Sequence, residues 1–361
     1  MVTTYLRRAY SSFATSVLDR PPRLLSFLFF LLLLVVPSFK PAPRMLSMLV
    51  TIHIMAIFAV SWDLLVGRAG QISLGHALFF AVGGYSSVML YRFFSLPIWV
   101  TIPIGVLLSA SAALLLGFPC LRVKGPYLAL VTMAFPTILS TIFVALPKDW
   151  FGKDTGFRAP AIFPLRQYTY SEQKVLEYYL ALLILFISAI IMYKVATSKT
   201  GIVFVSILDD ELASKACGIN VTKHKLMAFS ISALFASLAG CFYAHLQSIS
   251  GYVNTSMLTL TMSFLPVIIT IIGGIGTIYG PIVGAYIYYF VSTYIIGTYV
   301  KIPPTWMPIK EFIFIIIVIL IILKWPRGVA TFVPDRLEDL QEAREIEERG
   351  KYIWKKYKKK K

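Results

Sequence analysis

Apolar residues in this chain come in long unbroken runs, separated by short polar stretches. A helix rises about 1.5 Å per residue, so crossing a hydrocarbon layer roughly 30 Å thick takes about 20 apolar residues. The pattern predicts spans at about 24–39, 45–66, 72–93, 97–117, 126–146, 175–196 and 226–247. Pro136 predicts a kink in the fifth of these. The apolar stretch 259–298 is too long for one crossing and divides near Gly273-Gly274-Ile275-Gly276 and Tyr279-Gly280-Pro281. A last span falls at about 310–324. An outer-membrane barrel would instead read as short alternating strands. The expected fold is therefore all-α: a polytopic membrane protein of about ten transmembrane helices.

The longest strongly charged stretch between spans that also reads as a helix is Thr197 to Lys225. Phe204, Leu208, Leu212 and Ala216 recur at i+4, which predicts an amphipathic helix with Asp209, Asp210 and Glu211 off its apolar face. Such a helix lies against another protein or on the bilayer surface. A partner-docking element and a solvated loop with a helical turn are both open from the pattern alone. The chain divides into a basic segment 1–23, a membrane region 24–325 holding the 197–225 loop, and a charged tail 326–361.

Composition fits this picture: 14% of residues are charged and the mean hydropathy is +0.76. The net charge of +17 first raises nucleic acid as a partner. Much of it sits at the termini and in short loops, so orientation accounts for it and no nucleic acid is expected. Ten spans place both termini in the cytoplasm, together with the turn carrying Arg122 and Lys124 and the 197–225 loop. Pro147 to Lys174 then falls outside. The tail from Asp335 to Lys361 puts acids before bases, which suits a helix or arm against the inner surface and anionic membrane lipid. Leu24 to Phe39 lacks a small-residue cleavage site and does not read as a cleaved signal. Cys120, Cys217 and Cys241 show no paired or metal-type spacing and read as small apolar fillers.

No phosphate-binding G-x-x-x-x-G-K-[ST] loop, metal-spaced cluster or Ser-His-Asp set is present, so no catalysis, cofactor or metal is expected. His53, His76, His224 and His245 stand alone. The glycine-rich stretch Gly67 to His76 breaks two apolar runs with Gly70, Gln71, Ser73, Gly75 and His76. It reads as a gate or pathway lining, or as close helix packing through small residues. Asp63 is either an intramembrane functional acid or an interfacial partner of Arg68. Gly273, Gly274 and Gly276 form a second such break. The two breaks do not fall at corresponding places in two halves, so they mark no inverted repeat.

Four passages in order give the sequence a family. These are Ala69-Gly-Gln-Ile-Ser-Leu-Gly-His-Ala-Leu-Phe-Phe80, Leu121-Arg-Val-Lys-Gly-Pro-Tyr-Leu-Ala-Leu-Val-Thr-Met-Ala-Phe135, Ala213-Ser-Lys-Ala-Cys-Gly-Ile-Asn220 with Lys225-Leu-Met-Ala-Phe229, and Gly273-Gly-Ile-Gly-Thr-Ile-Tyr-Gly-Pro-Ile-Val-Gly-Ala285. Over roughly 45–325 the chain resembles the LivM-type permease family of bacterial and archaeal ABC importers for branched-chain amino acids. The resemblance implies a multi-pass permease subunit of the cell membrane with no enzymatic activity of its own. It implies an amino-acid substrate, a LivH-like second permease, two ABC ATPase subunits and an extracytoplasmic substrate-binding protein. It also gives the 197–225 loop the role of docking the ATPase, through Phe204, Leu208, Asp210, Glu211, Leu212, Ala213 and Gly218. Glu211, Ala213 and Gly218 echo the coupling motif E-A-A-x-x-x-G, with Leu212 in place of the first alanine and Gly218 one residue late. Asp63 stands where the family usually has Asn, and Arg68 where it has an aromatic. Urea and short-amide permeases resemble the same family. An ion-gradient secondary transporter and a membrane scaffold are the alternatives from other classes. On the gate reading, replacing Gln71, Ser73 and His76 together by Ala abolishes uptake and leaves assembly intact.

Overall fold

The computed structural model describes residues 29–120, 123, 125–164, 167–246, 249–293 and 307–331. Segment 1–23, Arg122, Lys124 and the arm from Asp335 lie outside them. The apolar runs all appear as helices. Helix α1 (Phe29–Phe39) closes on a 3-10 turn. Helix α2 (Pro43–Asp63) begins with proline in its first turn, where the missing N–H costs nothing, and ends in a π-helical turn, Leu64–Arg68. Then come α3 (His76–Phe94), α4 (Ile98–Cys120), α5 (Pro126–Ala145) and the short α6 (Lys148–Phe151). Helix α5 stays helical through Pro136. The Thr132 carbonyl, which Pro136 deprives of its helical donor, lies against Gly75.

Helix α7 (Tyr170–Thr197) opens on a capping box in which Thr169 and Glu172 satisfy each other's backbone N–H. Helices α8 (Lys199–Asp209) and α9 (Glu211–Ala216) follow, then α10 (Val221–His245), capped by Asn220. The long stretch after it divides at the glycines, into α11 (Leu260–Gly273) and α12 (Tyr279–Tyr289). Helix α13 (Met307–Lys324) closes the described bundle. Among the described residues six helices are long and apolar enough to cross a membrane, the core of an integral multi-pass protein: α2, α3, α4, α5, α7 and α10. The 14 residues of α11 rise only about 21 Å, short of a layer roughly 30 Å thick.

Helix α2 is the axis of the molecule. Its apolar window is 89% buried, against 28% for α4 and for α5, so α2 is enclosed and the other two face outward. Helices α7, α10, α11 and α12 pack around α2, and α3, α4 and α10 form the adjoining layer. Between helices in lipid, association depends on close contact more than on escape from water, which favours small residues. Helix α10 supplies Ala228, Ala233, Ala236, Ala239 and Gly240 to these contacts, all of them buried. Among the described residues one strand pair joins the helices. Strand β1 (Phe157–Arg158) pairs antiparallel with β2 (Tyr252–Val253), Phe157 opposite Val253 and Arg158 opposite Tyr252. This pair lies where α7 begins and α10 ends, at the opposite end of the molecule from α8 and α9.

Candidate functional site

The 197–225 loop is helical but not one helix. Asp210 leaves helical geometry (φ −152°), and its Oδ1 accepts from Leu212 N at 2.8 Å and Ala213 N at 2.9 Å, starting α9 afresh. That restart breaks the i+4 register expected from Phe204 to Ala216. Phe204 is fully buried, Leu208 is 44% exposed and Leu212 is 74% exposed. Gly201, Phe204 and Ile207 form the buried face of α8. Leu212, Ala213 and Ala216 face outward from α9.

The loop is nonetheless tightly folded. Ser214 Oγ donates to Ser206 O at 2.9 Å, folding α9 back on α8. Glu211 accepts from Lys225 Nζ at 2.7 Å and pairs with Lys215 at 3.0 Å, which ties α9 to α10. These cations, Lys225 foremost, hold the Glu211 carboxyl below the usual carboxylate range. Gly218 N bonds Lys215 O and Ile219 N bonds Ser214 O, a Schellman ending that requires the left-handed φ of +82° found at Gly218. The glycine's position, one residue later than the motif's, is therefore that of the left-handed residue just past the C-cap Cys217 of α9. Cys217 beside it is exposed, unlike the buried Cys120 and Cys241, so it is not the apolar filler expected.

Beneath α8 the two glycine breaks meet. A β-carbon on Gly70 (φ +67°) would fall 2.7 Å from Leu208 Cδ1, so α8 rests directly on backbone there. A β-carbon on Gly67 would fall 2.6 Å from Gly276 N. Gly273 lies against the Gly280 carbonyl and Gly274 against Gly328. Asp63 holds this junction. It is fully buried, and its carboxylate accepts from Gly276 N at 2.6 Å and Ile278 N at 3.2 Å. No Asp63–Arg68 salt bridge forms among the described residues, and Arg68 Nε is buried without a partner, so the expected interfacial pair is replaced by backbone capping. Ile278 takes φ +60°, rare for a β-branched residue, with its N–H on Asp63.

Gln71, Ser73 and His76 are all buried beside this junction. Gln71 Nε2 donates to Ala69 O at 3.0 Å, and Ser73 Oγ accepts from Gly75 N at 3.3 Å. Trp62 Nε1 donates to Ser73 O at 2.7 Å. His76 Nε2 lies 2.7 Å from Ser232 Oγ, whose own proton goes to Ser61 O. The histidine must then donate from Nε2, leaving a bare, buried Nδ1. Ser73 and Gly75 border a cavity of only about 10 Å³, far too small for an amino acid. The local geometry is that of close packing.

Sequence reasoning passed over three buried polar groups. His53 Nε2 meets Tyr286 Oη at 2.7 Å in mid-span. Lys174 and Glu177 pair at 3.8 Å within α7, with Gln173 donating to Glu177 at 3.3 Å. His245 Nδ1 donates to Pro160 O at 2.9 Å, so its Nε2 accepts from Ser87 Oγ at 2.8 Å. The signal for the second was an i,i+3 charge pair at the edge of a predicted span. No group of three or more His, Cys, Asp or Glu side chains gathers for a metal among the described residues.

The profile described as branched-chain amino acid transport system / permease component matches residues 44–323, which takes in everything from α2 to α13. Two relatives are the high-affinity branched-chain amino acid transport system permease proteins LivM of Salmonella typhimurium and Escherichia coli K12. Each is 30% identical over 250 residues, covering 63% of this chain and 58% of the relative. The chain thus spans just over half the length of these relatives. No solved structure matches it.

Proposed function

This chain belongs to the branched-chain amino acid transport permease family, and on that footing we propose that it is the permease subunit of an ATP-driven importer. It passes a branched-chain amino acid across the cell membrane of a bacterium or archaeon. It works beside a LivH-like second permease, two ABC ATPases and an extracytoplasmic binding protein. Both termini lie in the cytoplasm on this reading, with α8 and α9 on the inner side.

The observation that carries the reading is the prefolded α8–α9 element. It is capped at both ends, tied to α10 by Glu211, and shows Leu212 and Ala213 outward. An exposed apolar tip on a rigid base suits a groove on a partner ATPase. Leu208 reaches both the outside and Gly70, so a push on α8 arrives at the glycine junction without an intervening side chain. Residues 63–76 and 273–280 then serve as the moving joint behind the gate. The test is reconstitution with partner subunits and binding protein in proteoliposomes, with uptake of labelled leucine. ATP-dependent uptake blocked by unlabelled valine supports the reading. Uptake blocked only by urea keeps the mechanism and changes the substrate, and uptake indifferent to ATP overturns it.

A further inference from the structure

Helix α11 starts part-way down the bundle. Thr270 Oγ1 donates to Ala59 O at 3.4 Å, which sets the level of α11 against α2, and both helices end at the glycine junction. From Ala59 back to Pro43 is about 24 Å of helix, and from Thr270 back to Thr259 only about 16 Å. The N-cap of α11 therefore lies about 8 Å inside the far end of α2. On the proposed orientation that is within the outer half of the membrane. The chain arrives there from β2 through the 3-10 turn Thr255–Leu258, with Met257 seated on Gly84 of α3. Asn254, Thr255, Ser256 and Thr259 stay partly or fully exposed. Non-helical backbone at membrane depth persists only inside protein or beside a water-filled cavity.

This helix start is only partly capped. Thr259 Oγ1 accepts from Met262 N at 3.3 Å, and the first turn holds no acid. Among the described residues Leu260 N and Thr261 N meet no acceptor. One turn in, Ser263 is fully buried and its Oγ has no partner. A helical side chain tilts toward the helix N-terminus, and Ser263 follows Thr259 by four residues, so its hydroxyl is aimed at the same start. Two free N–H groups, a spare hydroxyl and the positive end of the helix dipole form a carboxylate receptor. The opposite charge stands one 3-10 turn ahead. Asp154 Oδ1 accepts from Thr255 Oγ1 at 2.9 Å, and among the described residues Asp154 forms no salt bridge.

We propose that the start of α11 receives the amino acid in transit, with its carboxylate on Leu260 N, Thr261 N and Ser263 Oγ and its ammonium on Asp154, an inference that rests on the importer reading above. Leu260 and Phe264, both part-exposed and one turn apart, offer apolar surface to an aliphatic side chain. Urea and simple amides carry neither charge, so this site separates an amino acid from them.

The test uses the complete importer in nanodiscs of phosphatidylcholine, without binding protein, read by millisecond hydrogen exchange at the Leu260 and Thr261 amides. Millimolar leucine slows both amides several-fold, and leucinamide and urea do not. 4-Methylpentanoate keeps the carboxylate, lacks the ammonium and needs a higher concentration. S263A raises the leucine concentration for half protection roughly tenfold. D154N raises it too and removes the advantage of leucine over 4-methylpentanoate. L260P deletes one N–H where proline suits a first turn, and Thr259 before it is already extended (ψ 156°). Leucine carried per ATP hydrolysed falls in S263A and in L260P. Amides indifferent to leucine in a complex that still imports it overturn the site alone, as does equal protection by leucinamide. Equal protection by acetate, or by added phosphatidylglycerol, assigns the helix start to anions in general and also overturns the site. A complex that imports no leucine with ATP and binding protein present overturns the site and the importer reading together.

Discussion

Replacing Asp63 by Ala tests whether the glycine junction is held by one buried carboxylate. The side chain accepts two backbone N–H groups, Gly276 at 2.6 Å and Ile278 at 3.2 Å; Ile278 is buried away from water and Gly276 is partly so. A hydrogen bond to a charged group contributes about 1.5–3 kcal/mol, and a buried donor left unpaired costs about 1–3 kcal/mol. Ile278 also loses the contact that holds it at φ +60° and ψ −48°, a sparsely populated conformation costing roughly 1–3 kcal/mol, and relaxation there offsets part of the loss. The expected net destabilisation of the junction is about 3 kcal/mol for Ala. Asn keeps one carbonyl acceptor and loses about half as much. By hydrogen exchange in detergent, about 3 kcal/mol appears as an increase of roughly 100-fold at the Gly276 and Ile278 amides. The thermal midpoint falls in the order wild type, Asn, Ala. Wild-type exchange at both amides in the Ala variant refutes the reasoning, because the carboxylate then holds nothing.

The other expectations concern the same end of the molecule. Gly70→Ala puts a β-carbon 2.7 Å from Leu208 Cδ1 at a φ of +67°, so α8 is lifted off its seat; leucine carried per ATP hydrolysed should fall while hydrolysis persists. Glu211 has a lowered folded pKa, so its stabilising contribution is complete above its unfolded pKa and is lost as pH falls through the folded value. Protection of the Cys217 to Ile219 amides, corrected for intrinsic rates, should be flat over about pH 6–8 and fall only in acid, with K225Q moving that fall to higher pH. The triple change Gln71→Ala, Ser73→Ala, His76→Ala should lower the thermal midpoint as well as uptake, since all three side chains are buried; a variant with wild-type stability and no uptake would favour a pure gating role.

Length requirements imposed by lipid made the spans legible. The runs around Phe58, Leu107 and Ile184 had to be helices, and the split at Gly273 followed from excess length. The interruption at Asp210 was hidden because the i+4 spacing of Phe204, Leu208 and Leu212 continues across it, although an Asp ahead of Glu211 is a helix-start signal. Strand β1 pairs with residues almost a hundred positions away over only two residues, too short for any periodicity to register. Both glycine breaks were visible, but their contact was not. Asp63 reads from sequence as an acid seeking a cation, and nothing in residue type announces that its partners are backbone N–H groups.

The enclosure of α2 also sets a schedule for synthesis. Its neighbours α7, α10, α11 and α12 all follow it in the chain, and the donors that Asp63 needs are 213 and 215 residues downstream. At about 5–20 residues per second, α2 waits about 10–40 seconds in the bilayer before they are made. During that interval the acid at its end has no native partner. A ribosome that stops short of Gly276 releases a chain in which this state is permanent. Incomplete copies therefore carry an uncapped carboxylate at the end of α2 that complete ones do not.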